Sequence, residues 1–299
     1  MSTEPKYNLS LLRNALFNRS KLMWGWSLIV KLLVFGFGTV VVFVPTSAKT
    51  VAIIGIVLAV ISELLFWLSD RWKGGAQCLH RKLDLEDSFG WKISASETRD
   101  QFARFSGDVE ALCGEPTGNF FASKELPGPK RAAENLVESS WWSMHLSETM
   151  WWIFISAIVA IVVGCVFLLN VSLEDISKVP AQAVSSAQTQ AATGEVAKPA
   201  VMQVVNVGIV KVVTSAMLFI FSYGLFKYAT GYFSFSSKSK AIKEKAEQLL
   251  DNGAVPDIAI IRLWQEYHLA RDGAPLIPNW VWQVREKKLN ALWKRTNHE

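Results

Sequence analysis

Four apolar stretches, residues 22–44, 50–68, 149–170 and 201–233, fix what this chain can become. A helix that crosses a bilayer needs about 20 mostly apolar residues, and each stretch is near or beyond that length. The rest of the composition agrees. The 299 residues are 51% hydrophobic and 19% charged, with a mean hydropathy of +0.22, too apolar for an ordinary soluble domain. The apolar residues are clustered rather than spread at strand or surface-helix spacing. Many of the 13 tryptophans flank the apolar stretches, among them Trp24, Trp67, Trp72, Trp141 and Trp151, as expected of interfacial belts. The expected fold is an all-α integral membrane protein with four transmembrane helices in two hairpins and a helical cytoplasmic domain.

The order along the chain follows. Residues 1–21 form a cytoplasmic segment with a short amphipathic helix, Arg13, Arg19 and Lys21 on its wet side. Residues 22–69 form the first hairpin, broken at Pro45, Thr46 and Ser47, its second span ended by Asp70, Arg71 and Lys73. Residues 70–148 form a cytoplasmic helical region. Within it, Ser94 and Glu97 are spaced as a capping box, and residues 114–129 read as loop from their Gly and Pro content. A helix resumes at Pro129 and feeds the third span. Residues 149–233 form the second hairpin, with a low-complexity outer loop at 171–200. Residues 234–299 are a cytoplasmic helical tail. In it, residues 256–270 form a helix whose expected buried set is Ile258, Ile261, Trp264 and Leu269. The last helix starts at Pro278.

Lysine and arginine placement sets the orientation. The first 21 residues, the 70–148 region and the tail together hold 25 of the 31 basic residues, and the two remaining loops hold only Lys49, Lys178 and Lys198. Both termini are therefore expected in the cytoplasm. The net charge of +5 is accounted for by this asymmetry and implies no DNA or RNA partner, although a basic cytoplasmic face attracts anionic ligands and lipids.

Polar and charged groups at bilayer depth are costly and usually face protein or water. Lys31 and Glu63 lie at matching depth in the first hairpin and are expected to pair, unless Lys31 snorkels to the interface and Glu63 is protonated or does likewise. The fourth stretch carries Gln203, Asn206, Lys211 and Thr214 within half the circumference of a helix at about 100° per residue. They either line a pore or cavity, or Lys211 neutralises Glu63 or Glu148 inside a packed bundle. A span starting near Val207 would instead let Lys211 reach the outer interface.

Nothing in the sequence reads as catalytic. There is no Walker-type loop, zinc spacing or nucleophile elbow, and Cys78, Cys113 and Cys165 are scattered. The expectation is no enzyme, no metal and no cofactor. Asp84, Glu86 and Asp87 near His80 read as a solvated helix face. The tail segment around Arg271, Pro275, Pro278, Trp280, Trp282 and Arg285 is the most distinctive stretch. Two prolines stiffen a turn flanked by arginine and tryptophan, residues that can hold a phosphate and stack a base. A docking elbow for the last helix is the competing reading.

Four spans in two hairpins, a helical region between them, and the tail Pro275 to Pro278 followed by Trp280, Trp282 and Arg285 resemble the SMODS-associating four-transmembrane (S-4TM) effector family. The acidic-aromatic stretch Leu83 to Trp91 is loosely similar to that family's equivalent. The resemblance implies a pore-forming effector of bacterial antiphage (CBASS) signalling in the inner membrane, opened by a cyclic oligonucleotide and assembled as a homo-oligomer in the lipid bilayer. Arg271, Trp280, Trp282 and Arg285, singled out by the arginine and tryptophan chemistry of the tail, are the candidate ligand-binding residues. A constitutive channel or transporter subunit, and a membrane scaffold for a soluble partner, remain as alternatives.

Overall fold

The computed structural model describes residues 8–43, 48–105, 121–177, 213, 216, 224–253 and 255–296. Seven helices and no strand occur among them: α1 (Leu9–Phe43), α2 (Ala48–Phe89), α3 (Ala95–Phe105), α4 (Pro129–Ser177), α5 (Leu225–Asp251), α6 (Asp257–Gly273) and α7 (Asn279–Thr296). Among the described residues three helices are long and apolar enough to cross a membrane, namely α1, α2 and α4. Gln203, Asn206, Lys211 and Thr214 lie outside the described residues.

The long helices correct the segmented order expected from sequence. The amphipathic start of the chain and the first apolar stretch are one helix, α1. Asp70, Arg71 and Lys73 follow the apolar run of the second span but do not end the helix, because α2 runs for 42 residues through them. At about 1.5 Å per residue α2 is roughly 63 Å long, about twice a hydrocarbon core of ~30 Å, so only part of it can be immersed. Its apolar run at 50–68 is that part, and its polar half continues beyond. α4 agrees with the sequence reading: it begins at Pro129, where a missing N–H costs nothing, and extends 49 residues through the third apolar stretch. Conversely, residues 201–233 are not one unbroken helix. Gly224 has φ +70°, the left-handed region that glycine enters without a Cβ penalty, and α5 starts after it.

The chain divides into two compact units. One comprises Met1–Leu28, Glu63–Trp152 and Tyr228–Glu299, the other Ile29–Ser62 and Ile153–Lys227. The second unit turns its apolar side chains outward: Ile53, Ile56, Val60, Val163 and Phe167 are each more than half exposed. Lys31 in this unit is half-buried on α1. Glu63 belongs to the first unit and is exposed on α2.

The first unit turns its apolar side chains inward, in two clusters. Leu12, Leu16, Ala76, Leu79 and Phe102 join α1, α2 and α3. Ala132, Leu136, Phe235, Ile242, Ile260, Trp264 and Tyr267 join α4, α5 and α6. The Trp264 indole donates to the Ala132 carbonyl at 3.0 Å. Ser20 and Ser69 each donate a hydroxyl to the other's backbone carbonyl, at 2.8 and 2.9 Å, tying α1 to α2 where the apolar run of α1 begins and that of α2 ends. The Ser94 hydroxyl accepts the Glu97 N–H at 3.1 Å, as the capping box requires, while the Glu97 carboxylate reaches Lys82 on α2.

α6 corrects the expected buried set. Ile258 and Leu269 are 67% and 69% exposed, and the buried face is Ile260, Leu263, Trp264, Tyr267 and His268. Those spacings of three and four residues are helical. The face was hidden in the sequence because two of its members, Tyr267 and His268, are polar. Arg13 is also not on a wet side: it is 7% exposed.

Candidate ligand cavity

Charged residues from three helices meet between the two apolar clusters of the first unit. His80 and Asp84 are one helical turn apart on α2, at 4% and 1% exposure, not on a solvated face. Arg13 on α1 approaches His80 Nδ1 with Nη1 at 3.3 Å, and Arg271 at the end of α6 contacts His80 Nε2. Asp84 Oδ2 lies 3.5 Å from His80 Nε2 and 3.9 Å from His268 Nε2.

The environment sets each charge. Burial, with the guanidiniums of Arg271 and Arg13 and the nearby His268, holds His80 well below the usual imidazole range. Burial, then Arg271 and Arg81, brings His268 down to about 3. Burial pushes the Asp84 carboxyl up, Arg271 and Arg13 pull it back, and it settles at about 7. With both imidazoles neutral, their approaches to Asp84 are not ion pairs, and the cluster's positive charge rests on the two arginines. Among the described residues no group of three or more His, Cys, Asp or Glu could hold a metal ion, and guanidiniums at this cluster repel a cation.

A cavity of about 650 Å³ opens beside this cluster, within the range of small-molecule sites. His80 and Arg271 contribute to both. The cavity is lined from α1 by Asn14, Phe17, Asn18 and Lys21, residues that share one face of the helix by their spacing. α2 adds Lys73 and Gln77, and α4 adds Glu138, Trp142 and Ser143. The turn between α6 and α7 closes one side, and α7 supplies Asn279, Trp282 and Glu286. The wall thus carries three cations, Lys21, Lys73 and Arg271, against two carboxylates, Glu138 and Glu286. Trp142 and Trp282 put their rings 4.7 Å apart at an interplanar angle of 32°.

Packing explains how the turn takes its place. Gly231 on α5 sits so close to Pro275 that a Cβ there would lie 3.0 and 3.1 Å from the proline ring. The Tyr232 hydroxyl donates to the Leu276 carbonyl. Lys73 donates to the carbonyls of Asp272 and Ala274 at 2.9 and 2.7 Å, and Gln77 to that of Arg271 at 3.0 Å. Lys21 donates to the Asn279 side chain at 2.6 Å, fixing the start of α7.

Of the four tail residues singled out from sequence, Arg271 and Trp282 line the cavity. Trp280 is 52% exposed and Arg285 half-buried, and both lie outside the lining. The sequence reading missed Lys21, Lys73, Gln77, Glu138 and Trp142. One signal was present: Lys73, Gln77 and Arg81 recur every four residues, a polar row on a single face of α2. Compared with known proteins, the chain matches no family model, no curated protein and no solved structure.

Proposed function

We propose that the protein is a membrane-disrupting effector, off at rest and opened by an anionic cyclic oligonucleotide that binds the cavity from the cytoplasm. The observation that carries the reading is the cavity's mixed lining. A nucleotide presents phosphates, base N–H groups and flat ring faces together. Cations from Lys21, Lys73 and Arg271, carboxylates from Glu138 and Glu286, and the rings of Phe17, Trp142 and Trp282 answer each of these.

The resemblance of the tail motif to the four-transmembrane effector family supports the same reading. Under it the chain has four spans, lies in the bacterial inner membrane with both termini in the cytoplasm, and acts as a homo-oligomer. One four-helix bundle leaves little room for a pore, so several copies assemble. The polar side of the fourth apolar stretch, with Gln203, Asn206, Lys211 and Thr214, lines the leak. A ligand opens it only if it binds the open state better than the closed one. Three helices, α1, α2 and α4, run from cavity-lining residues into apolar stretches, so a shift at one end of each is carried along its length.

The test is dye release from liposomes carrying the full-length protein, with and without a panel of cyclic di- and trinucleotides. Release with one nucleotide and not the others is the expected result. Release without any ligand would favour a constitutive channel. No release under any condition, with the protein verified as inserted, would sink the effector reading in favour of a scaffold.

A further inference from the structure

The turn from Arg271 to Pro278 is held to α2 by donors spaced four residues apart. Lys73 and Gln77 spend their donors on the backbone carbonyls of Arg271, Asp272 and Ala274. Arg81 completes the row by pairing with the Asp272 carboxylate at 3.1 Å. From α5 the Tyr232 hydroxyl holds Leu276, and the missing Cβ of Gly231 leaves room for Pro275. The turn is therefore a strap, fastened on both sides.

Its fastening has a chemical weak point. Lys73 lines the cavity, and its hydrogen bonds go to neutral carbonyls, while the Asp70 and Asp272 carboxylates attract it without a direct bond. A charge-assisted bond to an anionic oxygen is roughly twice as strong as one between neutral groups. Arg271, at the root of the same strap, also lines the cavity, and its guanidinium contacts the His80 imidazole, with the Tyr267 hydroxyl and the Asp84 carboxyl close by. An anion in the cavity would be a better partner for both. Arg81 lies outside the lining and is in direct contact with the Asp272 carboxylate.

We propose that Lys73 and Arg271 form a phosphate subsite in this cavity, and that filling it unfastens the 271–278 strap from α2. The inference rests on the reading that the cavity takes an anionic ligand. It adds which residues take the phosphate and what moves when they do. A soluble phosphate ester and a lipid headgroup present the same group to Lys73, so the test separates them.

The experiment is hydrogen exchange of the backbone at 272–277, followed by mass spectrometry, on full-length protein in uncharged detergent. One arm adds inorganic tripolyphosphate, and the other adds phosphatidylglycerol to the micelles. The phosphate source that fills the subsite should speed exchange across the strap by about tenfold, the loss of one or two hydrogen bonds of ~1 kcal/mol each. The arm that responds identifies the source. Lys73→Met should exchange fast from the start and ignore both additions. Lys73→Arg, which keeps charge and donors, should respond as wild type does. Arg81→Met should exchange faster at baseline and still respond. Unchanged exchange in both arms, or a Lys73→Met protein that responds like wild type, would overturn the subsite. The two proposals fail separately. A strap that responds to phosphate in a protein that never releases dye sinks only the effector reading. Nucleotide-triggered release that persists in Lys73→Met with an unmoved strap sinks only this one.

Discussion

The two units of the molecule obey opposite burial rules with the same kinds of side chain. In the unit of Ile29–Ser62 and Ile153–Lys227, isoleucine, valine and phenylalanine point outward, as with Ile56 at 66% exposure and Phe167 at 65%. In the other, Leu12, Leu16, Leu136 and Ile260 are essentially inaccessible, and Arg13, His80 and Asp84 are buried with them. A soluble surface rarely gathers that much apolar area without a partner to cover it. Hydrocarbon is such a cover, and inside it a leucine gains nothing by turning inward. The first unit is organised by the hydrophobic effect and by polar satisfaction, and the second by the length and continuity of its helices. Side chains fixed by packing therefore lie in the first unit.

Substitutions that respect one rule and violate the other break or sharpen this contrast. The largest effect is expected from Trp264→Ala, which empties the centre of the α4–α5–α6 core and removes the bond to Ala132. It should cost about 3–5 kcal/mol in stability, read as a lower melting temperature of the polar unit, while the membrane-bound fraction stays unchanged. Ile56→Asp should do the reverse. A carboxylate at the outward face of an apolar span costs roughly 2.5–3.5 kcal/mol for insertion, so membrane integration should fall while the polar unit melts as before. An Ile56→Asp protein that inserts normally would break the contrast.

A smaller, pH-dependent effect sharpens the picture of the buried charges. Asp84 is raised to about 7, so the folded state binds the extra proton, and this contribution to stability is lost as pH rises from the ordinary carboxylate value of 3.8 toward 7. His268 is lowered to about 3, so its contribution is present above pH 6.5 and is lost as pH falls below that value toward 3. His80 works in the same sense as His268. Between about pH 4 and 6.5 Asp84 offsets one histidine. Asp84→Asn removes the offset. Acid titration of stability should then fall more steeply in the variant than in wild type, by about one proton, ~1.4 kcal/mol per pH unit. Equal slopes would show that Asp84 carries its charge throughout that range.

The sequence made the long apolar helices readable because span length is a one-dimensional property. The Ser94 cap was readable for the same reason, since it is a local pattern. Helix continuity was harder. Asp70, Arg71 and Lys73 mark where apolar character ends, but charge does not break a helix, and α2 continues through them. At Gly224 the opposite error arises, because an apolar run conceals a backbone turn. The ionic cluster was least legible. Arg13, His80, Asp84, His268 and Arg271 come from three helices, and each alone looks like a surface residue. Only the packing of Leu12, Leu79 and Trp264 around them makes them buried. The cavity shared this difficulty. Arg271 and Trp282 stood out beside the prolines of the tail, whereas Lys73 showed only through the polar row on α2, and nothing local joined that row to Trp142 on α4.

The most direct test of the account measures ligand binding and dye release on the same vesicles, for wild type, Trp282→Ala and Lys211→Leu, with the nucleotide that triggers release. The account predicts that Trp282→Ala loses binding and release together, because the ring is part of the cavity wall. It predicts that Lys211→Leu binds as wild type does but releases dye at an altered rate, because sensing and leak reside in different parts of the chain. Normal binding and release by Trp282→Ala would contradict it, since the cavity would then not be where the signal is received.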